Sequence, residues 1–144
     1  MESEEKGKEE GADLITGGEA VGDKGHFVQP TIFANVRGDM RIAKEEIFGP
    51  VLCAESFGDD DFESIAKRAN NTNYGSSGSV WTQAISTAHK MAMLIDAGQV
   101  SNNRHAAVDP AIPFGGNKQS GWGREFGQEG LDPYLKTKAT TVIF

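Results

Sequence analysis

A single cysteine, Cys53, stands among 144 residues, so no internal disulfide is possible and the fold must rest on packing. Basic residues are outnumbered, 14 Lys and Arg against 21 Asp and Glu, giving a net charge of −7. Neutralising a phosphate backbone needs clustered Lys and Arg, so a nucleic-acid partner is excluded. Apolar runs are only a few residues long, far short of the roughly 20 that span a bilayer. The N-terminus, MESEE, is acidic where a signal peptide is basic. A chain with no membrane partner, in the cytoplasm, is the expectation. Histidine is scarce, at three, and none falls at the spacing of a metal site, so no metal is expected.

Glycine, by contrast, is abundant: 18 residues, nearly twice the usual ~7%. Six of them, Gly115, Gly116, Gly121, Gly123, Gly127 and Gly130, crowd one segment too irregular for a repeat and too apolar for a linker. That density predicts a structured loop. Gly121-x-Gly123 lacks the preceding strand and the Lys-Ser/Thr ending of a phosphate loop, so a tight turn is the better reading.

Along the chain, residues 1–11 (MESEEKGKEEG) are polar and read either as a frayed end or as the tail of a helix. Leu14 to Thr16 predicts a strand closed by Gly17-Gly18, and Phe27 to Val36 an extended stretch that Pro30 places partly at an edge. A short helix is expected over Asp39 to Glu46. After the Gly49-Pro50 break, Val51 to Phe57 reads as a buried strand. Phe62, Ile65, Ala66 and Ala69 mark one face of a helix capped by Asp59 or Asp60 and ended by Asn70, Asn71 and Asn73. Ser77 to Thr82 is a strand, Ile85 to Ala97 a helix with Ala88, Met91, Ala92 and Ile95 inward, and Gln99 to Asn103 another strand. Strand, helix, strand, helix, strand with short connections is the pattern of crossovers in a parallel sheet, so the fold class is α/β. An irregular stretch then runs to Gly123, followed by a weak helix from Glu125 to Tyr134. The β-branched end, Ala139 to Phe144, must pair with a sheet edge in the chain or in another subunit.

Chemistry concentrates in a few places. Glu45-Glu46-Ile47-Phe48-Gly49-Pro50 puts two carboxylates and a ring into one turn. Carboxylates accept ribose hydroxyls and rings pack on flat heterocycles; the plainer reading is a solvated acidic turn with Phe48 in the core. His105 is either an acid/base or a surface residue. Cys53 has no adjacent cation to activate it. Arg124 and Glu125 are candidates for a structural ion pair.

Three blocks, GHFVQPT (25–31), KEEIFGPV (44–51), and Asn103 with PFGGNKQSGWGR (113–124), resemble the aldehyde dehydrogenase family in their order along almost the entire chain. The resemblance implies part of a parallel-sheet catalytic domain with helices on both faces, over residues 12–130. It implies an oligomerisation arm over 131–144, and a polar first segment, 1–11, that is a truncated helix. It implies NAD or NADP as cofactor, with Glu46 on the nicotinamide ribose and Phe48 lining the nicotinamide side. Asn103 and Phe114 would border the aldehyde tunnel, or else serve as loop anchors. The complete enzyme would oxidise a small-molecule aldehyde to an acid through a thioester, as a homo-oligomer. The family's nucleophilic Cys, its base Glu and its dinucleotide-binding domain lie upstream of the segment this chain resembles. No catalytic residue is therefore assigned, and the chain alone is expected to be inactive. A different function is also open: a non-catalytic module joining full-length subunits through its last strand. Ser101 and Asn102 depart from the aromatic and aliphatic residues common in the family, so substrate preference does not carry over.

Overall fold

The computed structural model describes residues 2–58, 61–105 and 108–144. The chain divides into two compact units, Met1–Tyr74 and Gly75–Phe144.

In the first unit the polar start is helical: α1 spans Glu2–Glu9, with Gly7 and Glu4 buried. Gly7 explains how so hydrophilic a segment packs. A Cβ there would meet Ile42 Cδ1 at 2.9 Å and the Phe33 ring at 3.2 Å, so the helix backbone itself lies against the core. That core is Ala12, Phe33, Val36, Met40 and Ile42, with Phe33 fully buried.

β1 (Asp13–Thr16), β2 (Thr31–Ala34) and β3 (Val51–Cys53) form one sheet in the order β1-β2-β3. β2 is parallel to β3 but antiparallel to β1, so the parallel sheet expected from the sequence carries an antiparallel strand here. Pro30 does not put β2 at an edge. Lacking an N–H, it falls just before the ladder, and the first amide, that of Thr31, donates to Pro50 O at 2.8 Å. Thr31 is buried and its hydroxyl accepts from Gly18 N–H at 2.8 Å. This closes the Gly17-Gly18 turn onto β2.

The predicted buried strand Val51 to Phe57 is shorter and half open, because β3 occupies the sheet edge and Leu52 faces outward at 59% exposure. α2 (Arg41–Lys44) precedes it. α3 (Phe62–Ala69) is capped by Asp61, whose carboxylate accepts from Ser64 N–H at 2.6 Å. The candidate caps Asp59 and Asp60 lie outside the described residues. Of its apolar face only Ala66 is buried.

β4 (Tyr74–Gly75) spans the boundary between the units. In the second unit, β5 (Ser77–Val80), α4 (Ile85–Leu94) and β6 (Gln99–Asn102) make the expected crossover, with β5 and β6 paired in parallel. Ala88 and Met91 are buried. The helix stops three residues before Ala97 because Ile95 turns extended, at φ −75° and ψ 120°. β7 (Asn117–Lys118), α5 (Gly127–Leu131) and a 3-10 turn over Asp132–Tyr134 follow. Residues 135–144 form no strand and are exposed. Pairing of the tail with an edge of its own chain is thus not what this fold does: β-branched propensity alone makes no strand without a ladder partner.

Candidate functional site

The turn Glu45–Pro50 is held at both ends. On the helix side, Thr72 donates its hydroxyl to Lys44 O at 2.9 Å. The Arg41 guanidinium donates to Glu45 Oε2 at 2.7 Å and to Glu2 Oε1 at 3.0 Å, and these bonds, Glu45 foremost, raise its pKa further. On the strand side, Thr31 fixes Pro50 as described, and Val51 N–H closes back on Gly49 O at 2.8 Å. The two acids are thereby separated in kind. Glu45 is engaged by Arg41, whereas Glu46 is exposed and, among the described residues, hydrogen-bonds and ion-pairs with none.

Phe48 is not in the core, as the plainer reading of this turn had it. Its φ is +54° and it is 92% exposed. A bulky residue in the left-handed region costs about 1–3 kcal/mol and persists only where its surroundings hold it. The Lys44 and Pro50 anchors supply that hold, and they leave a carboxylate and a ring two residues apart on an open turn.

In the second unit Asn103 is a clamp. Its Oδ1 accepts from Thr82 N–H at 2.9 Å, its Nδ2 donates to Thr82 O at 2.9 Å, and its own N–H donates to Val80 O at 2.8 Å. Its φ is +54°, a conformation Asn tolerates better than most residues. Phe114 and Glu125 exchange both backbone hydrogen bonds at 2.7 Å. Phe114 lines a shallow cavity of about 350 Å³ with Ser76, Ser120, Arg124 and glycines of the loop. Asn103 is not part of that lining. Gly98 is required by close approach, since a Cβ there would collide with the carbonyl oxygen of Gly115.

The Arg124–Glu125 ion pair does not form. The Arg124 guanidinium instead donates to Gly116 O at 2.8 Å, Gly123 O at 2.9 Å and Asn117 Oδ1 at 2.8 Å. A loop of glycines presents backbone carbonyls that a five-donor guanidinium can bind, and this arginine staples it. His105 is exposed, with Nδ1 2.7 Å from Ser79 Oγ; no local sequence signal points to Ser79. The Arg41–Glu45 pair, by contrast, has a local signal in its i,i+4 spacing.

Cys53 is half-buried, with Sγ donating to Ile42 O at 3.5 Å. Burial pushes its thiol pKa up, the opposite of what a nucleophile needs.

Residues 1–140 match the aldehyde dehydrogenase family. A mitochondrial aldehyde dehydrogenase of Leishmania tarentolae is 48% identical over 135 residues, 94% of this chain and 27% of that protein. The NAD+ complex of the aldehyde dehydrogenase from Bacillus cereus is 47% identical and superposes with a TM-score of 0.85 over 94% of this chain and 27% of its own. The P. syringae indole-3-acetaldehyde dehydrogenase, solved with NAD+ and IAA, is 42% identical with a TM-score of 0.90, over 96% of this chain and 28% of its own. The chain thus spans about a quarter of the length of these proteins. The family match over residues 1–140, the identity to these relatives and the superpositions show that this chain belongs to the aldehyde dehydrogenase family.

Proposed function

We propose that this chain supplies the nicotinamide-side wall of an NAD- or NADP-dependent aldehyde dehydrogenase. Residues 12–130 are its share of the catalytic domain, and 131–144 its arm to a neighbouring subunit. The observation that carries this reading is the contrast within one acidic pair: Arg41 binds Glu45, while Glu46 stays unengaged beside an exposed Phe48. A free carboxylate suits two adjacent ribose hydroxyls, and an apolar ring orders a flat heterocycle beside it. When bound, the nicotinamide accepts a hydride from the aldehyde-derived centre. Asn103, by bracing the Thr82 backbone, and Phe114 border the aldehyde path in this reading.

The test is a chimera in which these 144 residues replace the matched region of the Bacillus cereus enzyme. Loss of one charged hydrogen-bond acceptor costs about 1.5–3 kcal/mol, so Glu46→Gln should raise KM for NAD about tenfold or more. An unchanged KM would refute the role. The 144-residue chain by itself should not turn over simple aldehydes with NAD or NADP, since burial raises the pKa of its one thiol. Turnover by the purified chain would overturn that expectation.

A further inference from the structure

We infer that Arg41 is a positioning residue for the cofactor turn: it fastens that turn to α1 and holds Glu45 aside, so that affinity for NAD depends on acids at α1 that are not themselves acceptors for it. This deepens the reading above and rests on it, since Arg41 acts through Glu46.

The backbone and the guanidinium of Arg41 are each used toward two sides. Toward the N-terminal segment, its N–H donates to Glu10 Oε2 at 2.8 Å and its Nη1 to Glu2 Oε1 at 3.0 Å. Toward the turn, its carbonyl accepts from Glu45 N–H at 3.0 Å and its Nε donates to Glu45 Oε2 at 2.7 Å. The bond from Glu10 answers a local need. Met40, at the N-cap of α2, makes no side-chain hydrogen bond, so a carboxylate 31 residues away in sequence takes a free amide of the first turn. Ile42, the next residue, is buried against α1, where a Cβ on Gly7 would fall 2.9 Å from its Cδ1. Arg41 thus stands between a segment packed on the core and an open turn.

On that turn two carboxylates are neighbours in sequence. Left alone they repel, and a turn free to swing offers either of them to a ligand. With Glu45 drawn back onto Arg41, Glu46 is the carboxylate left to accept ribose hydroxyls. Ordering an acceptor in advance spares that cost on binding. Exposed ion pairs taken singly contribute little, but a guanidinium shared by two acids and fixed by backbone bonds is a network, the case in which such pairs count.

In the chimera described above, calorimetric titration with NAD measures Kd without turnover. Arg41→Ala should raise Kd about threefold to fivefold, the scale of one networked ion pair. KM for NAD should rise alike, and KM for the aldehyde should stay unchanged. Glu45→Ala should act in the same direction, and Glu2→Gln more weakly. Arg41→Lys, which keeps the charge without the planar fork, should fall between parent and Ala. The deciding arm is a double variant: in a Glu46→Gln background, Arg41→Ala should change Kd by less than about 1.5-fold, because the acceptor it positions is already lost. A purely structural Arg41 would weaken NAD equally in both backgrounds or in neither, and either result overturns the inference. Hydrogen exchange on the full 144-residue chain reads the same device without cofactor. Arg41→Ala should speed exchange at the Glu45 amide and leave that of Ala54, held by Phe33 O at 2.8 Å, as in the parent; an unchanged Glu45 amide counts against the tether. If Glu46→Gln itself leaves Kd unchanged, the cofactor reading fails and this inference with it. If Glu46→Gln weakens NAD and Arg41→Ala does not, this inference alone falls.

Discussion

Replacing Asn103 separates its two structural duties. Its side chain makes two neutral hydrogen bonds to the Thr82 backbone, both 2.9 Å, and its backbone sits at φ +54°. Neutral hydrogen bonds contribute about 0.5–1.5 kcal/mol each, and an exposed pair belongs at the low end. Ala additionally carries the left-handed penalty of about 1–2 kcal/mol, which Gly escapes. Asn103→Ala should therefore cost about 2–3 kcal/mol. Asn103→Gly, losing the same bonds without that strain, should cost about 1–2 kcal/mol. Urea unfolding followed by Trp81 fluorescence reads this directly, because Trp81 immediately precedes the clamped Thr82. With a slope of about 2 kcal/mol per molar, the Ala midpoint should fall by about 1–1.5 M. An Ala variant within about 0.2 M of the parent, or a Gly variant as damaged as Ala, would refute the clamp.

Two further outcomes follow from packing and burial. Gly98→Ala should destabilise the second unit by about 2 kcal/mol or more, since its methyl meets the Gly115 carbonyl; a thermal midpoint unchanged from the parent would contradict the close approach. Cys53, its pKa raised by burial, keeps its proton in the folded state where the unfolded chain releases it. Its contribution to stability is thus complete below the ordinary thiol range and declines as pH rises through and above it. Alkylation by iodoacetamide near neutral pH should be slow in the folded chain and fast in urea, and equal rates would count against burial as the cause.

Periodicity and punctuation made much of this fold legible. The β5–α4–β6 crossover, its inward Ala88 and Met91, and the turn at Gly17-Gly18 were all readable because local pattern and tertiary context agree there. Where context overrode pattern, the reading failed. Val51-Leu52-Cys53 is apolar and reads as a buried strand, but a strand at a sheet edge has an open side whatever its composition. The tail over 139–144 has strand propensity without a ladder. At the candidate site, KEEIFGPV marks an acidic turn, yet which acid is unengaged depends on Arg41 reaching Glu45, and the outward pose of Phe48 depends on anchors at Thr72 and Thr31. Arg124 stapling carbonyls had no signal in its neighbouring charges, because backbone acceptors are invisible to composition.

Gly7 inverts the usual map of mutational tolerance. In most surface helices the apolar stripe is constrained and glycine is a weak point that any alanine improves. In α1 the packing surface is the bare backbone at Gly7, pressed against Phe33 and Ile42. Any added side chain there acts as a wedge between helix and core. The exposed Glu5 meets no such constraint, whereas a methyl at Gly7 makes the Ile42 side chain and the Phe33 ring give way. A segment that reads as solvent-loving filler is fastened by what it leaves out.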